Sequence, residues 1–128
     1  MEDGKAIPFQ TTYQGLYDRC EEHRNQPPFD LPGRWKTSQE RIKLSVPYNF
    51  VSTADIIGGN SGSPVVNKAG EFVGIIFDGN IHSLVAGIAY DEEQSRAVAV
   101  HSAGIIEALQ SVYNAGDLVK EIRSGQLP

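Results

Sequence analysis

The residues best suited to chemistry lie in one loop, which reads Gly58-Gly59-Asn60-Ser61-Gly62-Ser63-Pro64. A nucleophilic serine needs a tight, exposed turn in which backbone N–H groups converge on the atom that it attacks. Gly59 and Gly62 allow the unusual backbone angles of such a turn and let a substrate carbonyl approach closely. We therefore expect Ser61 to be a nucleophile, with the amides of Gly59 and Ser61 as the two donors of an oxyanion hole.

The sequence after this loop helps to decide between a catalytic turn and an ordinary flexible loop, since the loop residues alone fit both. Residues 64–67 are typical of a strand, residues 67–70 of a turn and residues 71–77 of a buried strand. The same order of elements follows the nucleophile in trypsin-like barrels. The pattern therefore favours the catalytic interpretation.

The remaining elements must hold this loop in place, and they divide the chain into two predicted segments. Residues 1–44 look irregular with some helix, most clearly over residues 11–23. Residues 45–128 are predicted to form a mostly β barrel domain that carries the nucleophile and ends in helices. Asp78-Gly79-Asn80 is predicted to break the strand before it. Further strands are expected over residues 44–53, 83–90 and 96–100.

An apolar stripe indicates a helix near the C terminus, with Ser102 as its predicted cap and Gly116 as its predicted stop. Asp117 is predicted to cap a last helix. The members of the stripe are Ile105, Ile106, Leu109, Val112 and Tyr113.

Composition limits the partners of the chain. Its 128 residues, 40% of them apolar, suit one small domain with a real core. The net charge is −5, and residues 45–128 hold four basic and nine acidic side chains, which argues against nucleic acid as a partner. No apolar run is long enough to cross a bilayer, so no membrane partner is expected, and the first residues lack the apolar core of a secretion signal.

A serine nucleophile needs a general base, and the chain offers no convincing one. His23 is the only histidine before Ser61, whereas His82 and His101 follow it, and we expect surface or structural roles for all three. Cys20 is the only cysteine, so the chain has no internal disulfide. Cys20 and His23 lack a second pair of ligands, and we therefore expect neither a metal nor another cofactor.

The loop over residues 57–64, followed by Phe77-Asp78-Gly79-Asn80, resembles the bacterial dipeptidyl-peptidase 7 and 11 family of serine exopeptidases. Three further segments are similar to that family, namely residues 29–32, 49–53 and 96–100. The resemblance runs from about Ile7 to Ile122 and covers only the C-terminal part of a full-length member.

The resemblance implies a split chymotrypsin-like double barrel with an inserted helical domain. This chain would then be the second barrel half with its N-terminal helical or irregular segment and its C-terminal helices. The first barrel, with the catalytic His and Asp, and the inserted domain would lie outside the chain. We therefore expect the isolated chain to be inactive as a peptidase, and the absent barrel to be its partner.

The resemblance also implies roles at the site. Ser61 would be the nucleophile, and Asp78 would hold the terminal ammonium of a peptide with a free N terminus. Gly79 would leave an open, uncharged pocket for an apolar side chain before the scissile bond. From the residues alone, Asp78 and Gly79 also fit an ordinary turn without substrate contact. The family is periplasmic or secreted, and a homodimer of the full-length parent is a further partner that the resemblance leaves open.

Asn60 stands where trypsin has an aspartate that pairs with a newly cut amino terminus. A neutral side chain needs no buried cation, so we expect no activation of that kind.

Two other functions stay open. A trypsin-like endopeptidase of the protein-quality-control type usually has glycine where this chain has Ser63, and the turn at residues 78–80 also speaks against it. A barrel that binds peptides by strand addition without catalysis is compatible with the missing base.

Overall fold

The structure, a computed structural model, describes residues 7–85 and 93–126 of the chain. These residues form five strands, four α-helices and one short 3₁₀ helix (Ile81–Val85). The strands are β1 (Gln10–Thr12), β2 (Pro47–Ser52), β3 (Pro64–Val66), β4 (Phe72–Gly79) and β5 (Ala97–His101). The helices are α1 (Tyr13–Glu22), α2 (Gly33–Lys36), α3 (Ser102–Ser111) and α4 (Gly116–Ser124).

The strands form one sheet in the order β1-β2-β5-β4-β3, in which β2 with β5, β5 with β4, and β4 with β3 are antiparallel. Its core consists of Ile76 on β4 with Ala97 and Ala99 on β5, all buried. Because Ala97 and Ala99 are small, β4 and the residues around it can pack closely against β5. An antiparallel sheet followed by helices confirms the predicted fold class. Partly buried residues that pack against this core are Phe50, Ile56 and Val65.

Contacts divide the chain into two compact units. One comprises Met1–Thr11 and Tyr48–Ser102 and contains most of the sheet, and the other comprises Thr12–Pro47 and Ala103–Pro128. The division drawn from the sequence at residue 44 did not anticipate that the segment after Thr12 groups with the terminal helices.

Hydrogen bonds between distant residues hold the second unit together. The Tyr13 hydroxyl, fully buried, donates to the carbonyl of Gly104 at 2.7 Å. The buried carboxylate of Glu107 accepts from the backbone amide of Lys43 at 3.0 Å and from the Ser111 hydroxyl at 2.7 Å. A buried carboxylate that accepts two hydrogen bonds has replaced the water that it loses.

The structure corrects several local predictions. Strand β4 does not break at residues 78–80 but continues through Asp78 and Gly79, which pair with Val98 and Ala97. Residues 83–85, predicted as the start of a strand, belong to the 3₁₀ helix, and residues 86–90 of that predicted strand lie outside the described residues.

The C-terminal helices also end differently from the prediction. Gly116 does not stop a helix but begins α4, because Asn114 takes the left-handed conformation (φ 55°) that ends the helix before it. Asp117 lies in the first turn of α4, where Lys120 donates to it at 2.9 Å, and does not cap the helix. Tyr113, predicted to lie on the apolar stripe, is 47% exposed. In the described part of the chain, no helix has the length and apolar character needed to span a bilayer.

Candidate active site

The loop that carries Ser61 is built from two consecutive turns joined at Asn60. The amide of Asn60 donates to the carbonyl of Ile57 at 3.2 Å, and the amide of Ser63 donates to the carbonyl of Asn60 at 2.9 Å. The side-chain oxygen of Asn60 also accepts from the amide of Ile57 at 2.7 Å. Ser61 thus lies at the exposed tip of a loop closed on both sides by short-range hydrogen bonds.

Two glycines make these turns possible. Gly59 and Gly62 have φ values of +103° and +91°, which side chains with a Cβ rarely adopt. No other atom lies within 4 Å of a Cβ built at either position, so the backbone angle and not space is the constraint. The unusual backbone angles predicted for these two residues are therefore confirmed.

The loop is anchored to the core of the sheet. The amide of Gly62 donates to the carbonyl of Ile76 at 2.8 Å, and the amide of Ile76 donates to the carbonyl of Ser63 at 3.0 Å. Ile76 is only 5% exposed and belongs to the sheet core. The position of Ser61 therefore depends on a rigid strand rather than on the loop alone.

The two amides predicted as oxyanion donors are available. The amides of Asn60, Gly62 and Ser63 are engaged in the bonds described above. Within residues 7–85 and 93–126, the amides of Gly59 and Ser61 donate to no protein atom. Unbonded amides are one requirement of an oxyanion hole, and the catalytic role of these two stays a prediction.

A cavity of about 300 Å³ opens beside this loop, and we call it the Ser61 pocket. It brings together Ser61, Asp78 and Gly79, three of the four residues singled out from the sequence, whereas Gly59 lies in the loop but not in the wall. The wall is mainly apolar. Its residues are Ile56, Ile57, Gly58, Asn60, Ser61, Ile76, Phe77, Asp78, Gly79 and Ser83.

An irregularity in β4 shapes this wall. Ile76 pairs with Ala99, and Asp78 pairs with Val98, the residue directly before Ala99 on β5. Phe77, between Ile76 and Asp78, is therefore an extra residue in β4. Such a bulge bends the strand and changes the direction of its side chains. As a result Ile76, Phe77 and Asp78, three consecutive residues, all line the Ser61 pocket.

The carboxylate of Asp78 is exposed and has capacity for a ligand. One oxygen accepts from the amide of the following residue, Gly79, at 2.8 Å. Among the described side chains, none forms an ion pair with Asp78. A carboxylate offers about four acceptor positions, so a cation in the pocket could still bind it.

The pocket beside Gly79 is not open, contrary to the expectation from the sequence, and the carboxylate of Asp78 lies next to it. A Cβ at Gly79 would overlap the hydroxyl oxygen of Ser83 and would come to 3.4 Å from Ile56 Cδ1. Sequence reasoning missed Ser83. A signal was available, because Asn80 three residues earlier is a residue type that closes turns through its side chain.

None of the histidines lines the Ser61 pocket. His23 ends α1 in the other unit and stacks on Phe29 with a ring separation of 3.7 Å. His82 lies in the 3₁₀ helix, and His101 on β5 contacts the edge of Phe50. Partial burial lowers the pKa of His101 below its usual value. In the part of the chain that the structure describes, no group of three or more His, Cys, Asp or Glu side chains could hold a metal ion.

Comparison with known proteins identifies a family and several relatives that are similar to this chain. The sequence model of peptidase S46 matches residues 1–124. Dipeptidyl-peptidase 7 of Phocaeicola vulgatus is 33% identical over 94% of this chain and 18% of its own length. The Asp/Glu-specific dipeptidyl-peptidase of Shewanella putrefaciens is 41% identical over 61% of this chain and 11% of its own length.

Solved structures agree at the level of the fold. The crystal structure of Porphyromonas endodontalis DPP11 in complex with the dipeptide Arg-Asp superposes with a TM-score of 0.80 at 22% identity, over 95% of this chain and 18% of that chain. The chain thus spans less than a fifth of the length of these relatives.

Proposed function

The chain belongs to the peptidase S46 family, and on this basis we propose that it is the C-terminal, nucleophile-bearing part of a serine dipeptidyl-peptidase. The whole enzyme would remove dipeptides from peptides with a free N terminus. One observation carries this proposal: the Ser61 pocket joins an exposed serine to an exposed carboxylate with capacity for a cation, and beside that serine lie two amides that donate to no protein atom among the described residues.

Ser61 acts as the nucleophile. Its oxygen forms a bond to the scissile carbonyl carbon while its proton passes to a histidine of the first barrel, outside this chain. The amides of Gly59 and Ser61 stabilise the negative charge on the carbonyl oxygen. The carbon–nitrogen bond then breaks, the leaving amine takes the proton, and water hydrolyses the acyl-enzyme.

Asp78 sets the length of the product. A carboxylate that binds the terminal ammonium at a fixed distance from Ser61 allows only one peptide bond to reach the nucleophile. A charge-assisted bond of this kind contributes about 1.5–3 kcal/mol. This anchoring distinguishes an exopeptidase from an endopeptidase with the same serine loop.

The wall formed by Ile56, Ile57, Ile76 and Phe77 favours an apolar side chain before the scissile bond. In this part of the pocket, the described residues provide no cation to pair with an acidic side chain. Burying such a side chain without a partner would be costly.

The test uses the complete gene product, including whatever sequence flanks this chain. Fluorogenic dipeptidyl amides with apolar residues before the scissile bond should be hydrolysed, and the same substrates with an acetylated amine should not. Ser61→Ala should abolish turnover, whereas Ser63→Ala in the same loop should retain most of it. Equal turnover of free and acetylated substrates would favour an endopeptidase.

The absence of a histidine from the pocket wall gives one specific reason to test a peptide-binding function as well. A fluorophosphonate should label Ser61 in the complete gene product but not in the isolated chain. If the complete product is not labelled and does not hydrolyse the substrates, the barrel binds peptides without cleaving them.

We also propose that the parent protein acts in the periplasm or outside the cell, and that it forms a homodimer. The family resemblance of the chain supports both. Cell fractionation and the mass of the purified parent in solution would test them, and a cytoplasmic or monomeric parent would contradict them.

A further inference from the structure

Ser83 occupies the space beside Gly79 in the Ser61 pocket. A hydrogen is the only substituent that fits on the Gly79 Cα, because a Cβ there would overlap the Ser83 hydroxyl oxygen and lie 3.1 Å from Ser83 Cβ. Contacts under 3.0 Å between such atoms are not tolerated without movement. The glycine and the serine therefore fit each other as a pair.

Ser83 cannot easily turn away, because Asn80 holds it at three points. The Ser83 hydroxyl donates to the carbonyl of Asn80 at 2.6 Å, and its amide lies 2.9 Å from the same carbonyl. The amide also donates to the side-chain oxygen of Asn80 at 3.1 Å. To move its hydroxyl, Ser83 would have to give up the shortest of these bonds.

Asn80 is in turn fixed by residues that lie directly before β5. Its amide donates to the carbonyl of Arg96 at 2.9 Å, and its side-chain oxygen accepts from the amide of Arg96 at 3.0 Å. Its side-chain nitrogen donates to the carbonyl of Gln94 at 2.7 Å. A chain of hydrogen bonds therefore connects the sheet to the wall of the pocket at Ser83 and holds this wall in place.

We propose that Ser83 is a specificity-determining residue, which limits the depth of the Ser61 pocket beside Gly79 and restricts the side chain that a substrate places there. This inference rests on the proposed peptidase function. The hydroxyl proton of Ser83 is used on Asn80, so towards the pocket the oxygen offers only lone pairs. Ser83 therefore cannot donate to a carboxylate, and it favours neutral side chains of limited length over long or acidic ones.

Substrates of graded size provide the test. In the complete gene product, kcat/KM is measured for fluorogenic dipeptidyl amides that share their first residue and carry Ala, Val, Leu, Phe or Asp as the second. Ser83→Gly removes a hydroxymethyl group and should raise the ratio of Phe to Val turnover about tenfold, since one methylene in an apolar pocket changes discrimination by about that factor or more. Ser83→Ala removes the hydroxyl oxygen, the atom nearest to Gly79, but keeps the Cβ, and it should raise the same ratio by a smaller factor.

A matched control separates pocket shape from loosening of the helix. His82 is the neighbouring residue of the same 3₁₀ helix, is exposed and does not line the pocket. His82→Gly therefore adds the same backbone freedom without adding space, and it should leave the Phe to Val ratio unchanged. A ratio that shifts equally in His82→Gly and Ser83→Gly would overturn the proposal.

The steric fit of Ser83 against Gly79 can be tested by measuring thermal stability. Gly79→Ala should lower the thermal unfolding midpoint in the protein with Ser83, and lower it much less in the Ser83→Gly background. Equal losses in the two backgrounds would show that Ser83 does not fill the space beside Gly79, and would overturn the proposal.

The two proposals fail differently. A wild type that hydrolyses none of the substrates would overturn the peptidase function and, with it, the role of Ser83 in selecting substrates. A wild type that hydrolyses them, but whose preference does not respond to Ser83→Gly, would leave the peptidase function standing and would overturn the role of Ser83 alone.

Discussion

The side-chain oxygen of Asn60 accepts a hydrogen bond from the backbone amide of Ile57 at 2.7 Å, and this bond closes the turn directly before Ser61. The amide of Asn60 donates back to the carbonyl of Ile57 at 3.2 Å. The residue next to Ser61 thus orders the loop through a neutral amide within this chain. An ion pair with a newly formed amino terminus is not needed for this turn to close.

The hydrogen bond that the Asn60 side chain accepts predicts different kcat values for two variants at this position. Asn60→Ala removes the acceptor, misplaces the Ser61 loop, and should lower kcat of the complete gene product about 10–10²-fold, the usual effect of a small shift at a reacting centre. Asn60→Asp keeps an acceptor oxygen and should retain most of kcat. Steady-state kinetics on one dipeptidyl amide measure both. If the Asp variant is as impaired as the Ala variant, the hydrogen bond is not what orders the loop.

Asp78 predicts a loss that depends on the substrate amine. Asp78→Asn removes the charge that would hold the terminal ammonium, so kcat/KM for substrates with a free amine should fall about 10- to 150-fold, which corresponds to about 1.5–3 kcal/mol. Asp55→Asn is the control, because Asp55 is exposed in the same unit but does not line the pocket. An unchanged kcat/KM in Asp78→Asn would refute the anchoring role.

The backbone of the Ser61 loop predicts different effects for neighbouring glycines. Gly62→Ala places a Cβ on a residue with φ +91°, and it should lower the free energy of unfolding by about 1 kcal/mol or more. Gly58→Ala is the matched control, since Gly58 does not have a positive φ and has open space around it. Urea unfolding of both variants measures the effect. An equal loss of unfolding free energy in Gly62→Ala and Gly58→Ala would mean that the backbone angle of Gly62 is not the cause.

The lowered pKa of His101 predicts a dependence of stability on pH. Burial disfavours the charged imidazole in the folded chain, so between the lowered folded pKa and the unfolded value near 6.5 the unfolded chain binds more protons. The free energy of unfolding should therefore fall as the pH drops below about 7, until the pH lies below the folded pKa. His101→Gln should flatten this part of the profile. A wild type and His101→Gln with the same slope would contradict the prediction.

Some features of the site depend on short stretches of sequence and could be predicted from it. The turns around Ser61 need glycine at positions 59 and 62 because of their backbone angles, and the structure places both residues in the left-handed region. The strand that follows, residues 64–66, and the helix over residues 13–22 also form where the pattern predicted them. These elements follow from residue type and periodicity over a few positions.

Other features arise only when distant segments meet. The extra residue Phe77 exists because β4 pairs with β5, and it is this pairing that turns Asp78 into the pocket and carries the strand through a predicted break. Ser83 fills the space beside Gly79 because Asn80 bonds to both Ser83 and Arg96. The sequence contains Asn80 and Ser83, but it does not show which atoms will accept their hydrogen bonds.

The sequence by itself therefore determined the turns of the Ser61 loop and their residue types, because local backbone sterics act between neighbours. The shape of the Ser61 pocket and the grouping of residues 12–47 with the terminal helices were decided only in three dimensions. Both depend on strand register and on hydrogen bonds between residues far apart in the chain, such as that of Tyr13 with Gly104. Such contacts are chosen by the free energy of the whole fold, and no local pattern encodes them.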